Sequence, residues 1–280
     1  MTDQPAGEEK SGQLDAKYWS DIKDQGPLAG ITLDAGITPE DFQTYGDRLA
    51  QRQIEIYRRF ASPDLAHGTV VDVGCGMGRI SRPFAAVFGK VVGVDINADI
   101  LVQARQYCGG VENVEFVQGD GLTIPLEDAS VDFAYSGGVL QHIPERDVIM
   151  NYFLEGMRVL RPGGILNYSF QTWYTSREGG VDGNRVGAQL LASDFESLMA
   201  GRPWRLLGAV ADPDDPIPHL NVVIEKATDP PRRGQKLRKR KVVDMPVRTG
   251  IFEDLASYED FRKRWASNTP KTRRRVTFWD

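Results

Sequence analysis

The chain has 280 residues and a formal net charge of −5 at pH 7. That length suits one α/β domain with a full core, and the acidic balance creates no overall attraction to nucleic acid or to a membrane surface. Two cysteines and three histidines exclude a disulfide framework and argue against a structural zinc site, and no apolar run approaches the ~20 residues that span a bilayer.

Residues 1–13, MTDQPAGEEKSGQ, lack the basic-then-apolar order of a signal peptide and read as disordered, so a cytoplasmic protein is expected. Leu14, Tyr18 and Ile22 then recur on one helical face, with Trp19 beside them. A second helix starts at Thr38-Pro39-Glu40-Asp41 and runs to Phe60. Thr38 suits the N-cap, Pro39 the first helical position, and Asp41 closes a capping-box-like start. Residues 14–62 read either as a helical lid or as an outer layer packed on a sheet.

Residues 63–229 read as βαβ repeats. Strands are expected at Thr69–Val73, Lys90–Val94, Val114–Val117, Val131–Ser136, Gly164–Phe170, Trp204–Ala211 and Leu220–Glu225. Helices are expected at Ile80–Phe88, Ala98–Tyr107, Arg146–Leu160 and Ala192–Ala200. Periodicity supports a mostly parallel α/β sheet. Residues 171–191 exceed an ordinary connection and read as a glycine-rich, aromatic-bearing insertion at the substrate side. Residues 230–280 form a basic extension, with seven basic residues in the ten of Arg232–Lys241. No further strand is expected there, and Phe252, Leu255, Tyr258, Phe261 and Trp265 suggest a helix docking back.

The most informative stretch is Val70–Ile80, VVDVGCGMGRI. An apolar strand ends at Asp72-Val73, and Gly74, Gly76 and Gly78 follow at alternate positions. Glycines there let the backbone turn tightly and approach a nucleotide-like ligand with no Cβ in the way. The spacing G-x-G-x-G differs from the G-x-G-x-x-G of dinucleotide oxidoreductases. With Asp72 ahead of it, the stretch resembles the first motif of the class I S-adenosylmethionine-dependent methyltransferases. Two later passages extend that resemblance, GDGLTIPLEDASVDFAYS from Gly119 and RVLRPGG from Arg158.

The resemblance implies a doubly wound, seven-stranded Rossmann-like sheet in the order 3-2-1-4-5-7-6, the last strand antiparallel, with S-adenosylmethionine as cofactor. It carries Asp72, Gly74, Cys75, Gly76 and Gly78 over as the glycine-loop contacts, with backbone N–H groups and a helix N-terminus serving the ligand's polar groups. Asp95, with Ile96, ends the second strand, where a carboxylate accepts ribose hydroxyls. Asp120 and Gly121 take the adenine position after the third strand, and Ser136 ends the fourth.

His142 follows the fourth strand at the ligand edge and is the candidate general base, since a neutral hydroxyl is a poor nucleophile and imidazole titrates near neutral pH. As a packing or capping residue it would have no such role. Tyr18, Trp19, Tyr168, Trp173 and Tyr174 could ring the acceptor or face the sulfonium. No motif indicates Mg²⁺, which stays open as a rival way to activate a hydroxyl. The expected reaction is O-methylation of a small molecule or saccharide, with no membrane partner and no nucleic acid expected. Other readings are an RNA or protein methyltransferase using the basic run, a nicotinamide oxidoreductase, and a binding module without turnover.

Overall fold

The computed structural model describes residues 38–61, 67–171, 188, 190, 192–211, 219–227 and 250–252. The segment with Tyr18 and Trp19, the segment with Trp173 and Tyr174, and the basic run Arg232–Lys241 lie outside the described residues. The first described helix, α1 (Pro39–Phe60), starts as its residues dictate. The Asp41 N–H donates to the Thr38 hydroxyl oxygen at 3.1 Å, and Pro39 stands where a missing N–H costs nothing.

Four parallel strands come next: β1 (Thr69–Val73), β2 (Lys90–Asp95), β3 (Val114–Gln118) and β4 (Val131–Ser136). Two helices separate the first three, the short α2 (Ser81–Ala85) and α3 (Ala98–Tyr107). The Asn97 side chain caps α3 by accepting from the Asp99 and Ile100 N–H groups. A 3₁₀ turn (Leu140–His142) leads to α4 (Arg146–Val159), β5 (Leu160–Gln171), α5 (Ala192–Met199), β6 (Trp204–Ala211) and β7 (His219–Lys226).

The strands lie in the order β3-β2-β1-β4-β5-β7-β6, followed by a short β8 (Gly250–Phe252). Strands β1 to β5 pair in parallel, while β7 runs antiparallel to both β5 and β6. The order reverses direction between β1 and β4, the switch point at whose carboxyl edge open α/β sheets bind ligands. The expected seven-stranded doubly wound sheet is thus present, and β8 corrects one expectation. Residues 250–252, expected in a tail without strands, pair antiparallel with Ala209–Ala211 of β6.

Alternation along the strands sets the two cores. Val71, Val73, Ala134, Leu166, Tyr168 and Phe170 face α4 and α5, meeting Ile149, Phe153, Met157 and Phe195. Val70, Val91, Phe133, Tyr135 and Ile165 face the other way, onto Ala50, Ile54 and Tyr57 of α1 and Phe84 of α2. The C-terminal half of α1 is therefore an outer layer of the sheet. Only its first turns, at Phe42, Tyr45 and Gly46, reach the glycine loop. No helix among the described residues is long and apolar enough to cross a membrane.

Gly46 makes that approach possible. A Cβ there would stand 2.5 Å from Arg79 Cγ and 2.6 Å from the Arg79 carbonyl oxygen. Alanine favours a helix over glycine by about 1 kcal/mol, yet overpacking against backbone costs about 1–3 kcal/mol. Gly46→Ala should therefore lower stability in urea denaturation; a stabilised variant would mean that α1 does not clasp Arg79.

Candidate functional site

The expected ligand-side groups converge at the carboxyl ends of β1, β2, β3 and β4. Gly74, Gly76 and Gly78 all adopt positive φ, a conformation that side-chain-bearing residues rarely take. Gly74 has a second reason to lack a side chain, because a Cβ would collide with the side chain of Val139, which follows β4. The loop is braced from β2. Gly74 and Cys75 donate to the Val94 carbonyl at 2.7 and 3.1 Å, and Gly76 donates to Asp95 Oδ2 at 2.9 Å. Gly78 donates to the Cys75 carbonyl at 2.9 Å.

This bracing uses the N–H groups of Gly74, Cys75, Gly76 and Gly78 within the protein, so the expectation that loop N–H groups serve the ligand does not hold for these four. The helix that follows is only Ser81–Ala85, shorter than the expected Ile80–Phe88. So short a helix adds little macrodipole. The loop contributes a side-chain-free surface at its three glycines.

Asp95 is half-buried at the end of β2. Its Oδ1 accepts from the Asn97 N–H at 3.0 Å and its Oδ2 from the Gly76 N–H. Burial raises its carboxyl above the usual range, while these backbone donors pull it back. A carboxylate has about four lone-pair sites, so acceptor capacity remains for a ribose diol. Ile96 follows, its carbonyl accepting from the Gln118 side chain at 3.2 Å.

Asp120 is exposed after β3 and is tied into its own turn. It accepts from the Leu122 and Thr123 N–H groups at 2.9 and 2.6 Å and from the Thr123 hydroxyl at 3.0 Å. Desolvation would raise its carboxyl, but those donors hold it below the usual value. Gly121 is buried beside it with positive φ.

Helix α4 pins this passage from behind. Asn151 Nδ2 donates to the Leu122 carbonyl at 2.5 Å, and Glu155 Oε2 accepts from the Ile124 N–H at 3.0 Å. Arg158 donates to the Ile124 carbonyl at 2.8 Å, to the Leu126 carbonyl at 2.9 Å and to Asp128 at 2.6 Å, while gripping Glu155 with Nε and Nη2. Hydrogen bonding from Arg158 holds the Glu155 carboxyl below its usual value. Its stabilising share is therefore present above the unfolded carboxylate range and lost as pH falls through the lowered folded value. Arg158→Ala removes the partner of two carbonyls and two carboxylates and should cost about 2–4 kcal/mol in urea denaturation. A loss under about 0.5 kcal/mol, the ordinary effect at an inert surface position, would show that the grip holds nothing.

Three expected side chains are turned away from the ligand edge. Tyr168 is fully buried among Phe153 and its neighbours, because even-numbered residues of β5 face α4; it does not line an acceptor cleft. The Ser136 hydroxyl is buried and donates to the Val73 carbonyl at 2.9 Å, stitching β4 to β1. The Cys75 side chain packs with Leu101, Cys108 and Phe116 under α3, and burial raises its thiol well above the usual value. Asp72 lies on the α1 face of β1, where it accepts from the Ser81 hydroxyl at 2.6 Å. Burial is the main reason that its carboxyl is raised to about 7.

His142 closes the 3₁₀ turn after β4. Its N–H donates to the Val139 carbonyl at 2.9 Å, and Leu140 anchors the turn in the core. The ring is half-buried, with Nδ1 sealed in protein. The chain returning from the insertion meets this turn, where the Ala188 N–H donates to the Ile143 carbonyl at 2.7 Å. Among the described residues no group of three or more His, Cys, Asp or Glu side chains could hold a metal ion. Sequence reasoning passed over Arg79 and Val139. Arg79 was visible as the residue after the last glycine, whereas the Val139–Gly74 contact joins two strands and leaves no local signal.

The family model described as methyltransferase domain matches residues 71–167. A demethylmenaquinone methyltransferase of Staphylococcus aureus is 31% identical over 120 residues, which cover 41% of this chain and 48% of that protein. The chain spans about half or less of the length of the curated relatives it matches. Among solved structures, Haemonchus contortus phosphoethanolamine N-methyltransferase 1 superposes with a TM-score of 0.64 at 18% identity, covering 82% of this chain and 51% of that one. Magnesium protoporphyrin IX methyltransferase from Synechocystis PCC 6803 gives 0.59 at 15% identity, covering 77% and 99%. At such identities these two structures speak for the fold alone. Residues 71–167 thus match a methyltransferase domain, within a fold that methyltransferase structures share.

Proposed function

We propose that the protein transfers the methyl group of S-adenosylmethionine to an oxygen of a small molecule, a saccharide hydroxyl being one candidate. The observation that carries this reading is the row of groups along adjacent strand ends. The side-chain-free loop follows β1, Asp95 ends β2, Asp120 follows β3, and the His142 turn follows β4. Asp95 would accept the ribose hydroxyls, and the Asp120–Gly121 turn would border the adenine. The sulfonium methyl would then lie toward Val139 and the His142 turn.

In the transfer, a lone pair of the acceptor oxygen attacks the methyl carbon in line with the breaking carbon–sulfur bond. The sulfonium leaves as a neutral thioether, and the hydroxyl proton passes to His142. Nε2 would take it, because Nδ1 is sealed in protein. Much of the acceleration would come from holding the two reactants in position. The similar proteins are named for demethylmenaquinone, phosphoethanolamine and magnesium protoporphyrin IX. These are three different acceptor chemistries, so acceptor identity has to be found for this chain directly. Incubation with methyl-labelled donor and a panel of sugars, phenols, small acids and amines tests the reading. Label on a hydroxyl-bearing acceptor supports it, and label confined to amines or carboxylates replaces the oxygen assignment.

A further inference from the structure

One buried hydrogen bond crosses the core between α1 and the sheet. Asn167 of β5 donates through Nδ2 to Gln53 Oε1 of α1 at 2.6 Å, and both residues are buried. Ala50, Ile54 and Tyr57 of the helix and Ile165 and Val223 of the strands make up the apolar core on that face. Asn167 Oδ1 is also buried and, among the described residues, has no hydrogen-bond partner. Two apolar side chains of similar size would therefore hold the helix at least as firmly. What the pair adds is direction. A hydrogen bond is made at one alignment, whereas apolar attraction has none.

Alignment matters because of what else lies on that stripe of α1. Phe42, Gly46, Ala50, Gln53 and Tyr57 recur at helical spacing, and all are buried. Two turns before Gln53, Gly46 leaves room for the Arg79 side chain, whose guanidinium carbon lies 5.3 Å from the Phe42 ring centroid and 4.9 Å from that of Tyr45. Phe42 also meets the Tyr107 ring of α3 edge-on, with centroids 5.6 Å apart, and Arg82 lies over that ring at 5.1 Å. The start of α1 thus grips the chain directly after the glycine loop. Gly46 and Ala50 present almost no side chain to interlock with the sheet, so apolar packing alone resists sliding weakly. A slide of one turn, about 5.4 Å, would set Ala50 or Phe42 against Arg79. Neither fits, since a Cβ at the Gly46 position stands 2.5 Å from Arg79 Cγ.

We infer that Gln53 and Asn167 are positioning residues for the methyl-donor site, their bond fixing the register of α1 and so holding its first turns on Arg79 beside the glycine loop. The effect on ligand binding rests on the donor reading above, and the effect on the helix does not.

The full chain carrying Gln53→Met and Asn167→Leu tests this. Both partners become apolar, so stability in urea should be kept or raised. S-adenosylhomocysteine should nonetheless bind about three- to thirtyfold more weakly by calorimetry, and amide exchange of residues 42–50 should quicken while that of β4 and β5 is unchanged. The swapped pair, Gln53→Asn with Asn167→Gln, keeps a bond of the same reach and should retain affinity within about twofold of wild type. Affinity undiminished in the apolar variant would overturn the inference. An apolar variant that is less stable than wild type, or unfolded, would make the bond ordinary structural support and overturn it too. If wild type does not bind S-adenosylhomocysteine, the donor reading falls and exchange at residues 42–50 decides: quickened exchange keeps the register role, and unchanged exchange removes it.

Discussion

Replacing His142 with alanine should lower kcat about 10²–10⁴-fold, the usual yield of general-base help, while affinity for S-adenosylhomocysteine stays within about threefold. The asymmetry follows from position. His142 sits on the turn after β4, away from the β2 and β3 ends where ribose and adenine would lie. Its backbone N–H on Val139 and the Leu140 anchor do not involve the imidazole, so the turn should survive the change. The wild-type rate should rise with pH through one ionisation that disappears in the variant. A carboxylate-bound Mg²⁺ is the rival activator, and it predicts activity lost to chelator and restored by the metal. Near-normal kcat in His142→Ala without metal would remove the base and point to an acceptor that is already ionised.

Asp72→Asn should stabilise the unliganded protein at pH 8, by up to about 4 kcal/mol. A carboxyl held at about 7 in the fold, against about 3.9 in an unfolded chain, disfavours the ionised folded form by that order. The sign follows from linkage. The folded value is raised, so the contribution to stability is fully present below the unfolded value and is lost as pH rises through about 7. Wild-type stability should therefore fall, relative to the variant, between about pH 4 and pH 7 and run parallel to it above. The asparagine carbonyl can still accept the Ser81 hydroxyl, so the brace to α2 is kept. Urea denaturation of both proteins across this range measures the difference, in which the other carboxylates cancel. A constant offset at every pH would mean that Asp72 ionises freely in the fold.

Much of the fold was legible because local chemistry and tertiary packing agree. Thr38-Pro39 and Asn97 start their helices where the capping rules put them, and the alternating valines of β1 and β2 bury both faces as the pattern requires. The departures have physical causes. Strand β5 begins at Leu160, before the expected Gly164, because Leu160 pairs with Val131 and Arg161–Gly164 loops out of the ladder before pairing resumes at Ile165. Strand β8 is three residues long, too short to show a period.

At the site, sequence position located the strand ends well but said little about which way a group points. Asp95 and Asp120 stand at the ends of adjacent strands, whereas Ser136 and Cys75 face inward at equally suggestive positions. Tyr168 was readable as a core residue, since it alternates with Leu166 and Phe170 on one face of β5. The grip on Arg79 was not readable, because it depends on Phe42, Tyr45 and Gly46 arriving from another helix.

Calorimetric titration of S-adenosylhomocysteine into wild type and Asp95→Ala tests the central claim most directly. Wild type should bind one equivalent per chain. The variant should bind about ten- to hundredfold more weakly, having lost charge-assisted hydrogen bonds to the ribose worth about 1.5–3 kcal/mol. Wild type giving no heat beyond dilution, or a folded Asp95→Ala binding as tightly as wild type, would contradict a methyl-donor site built on the ends of these strands.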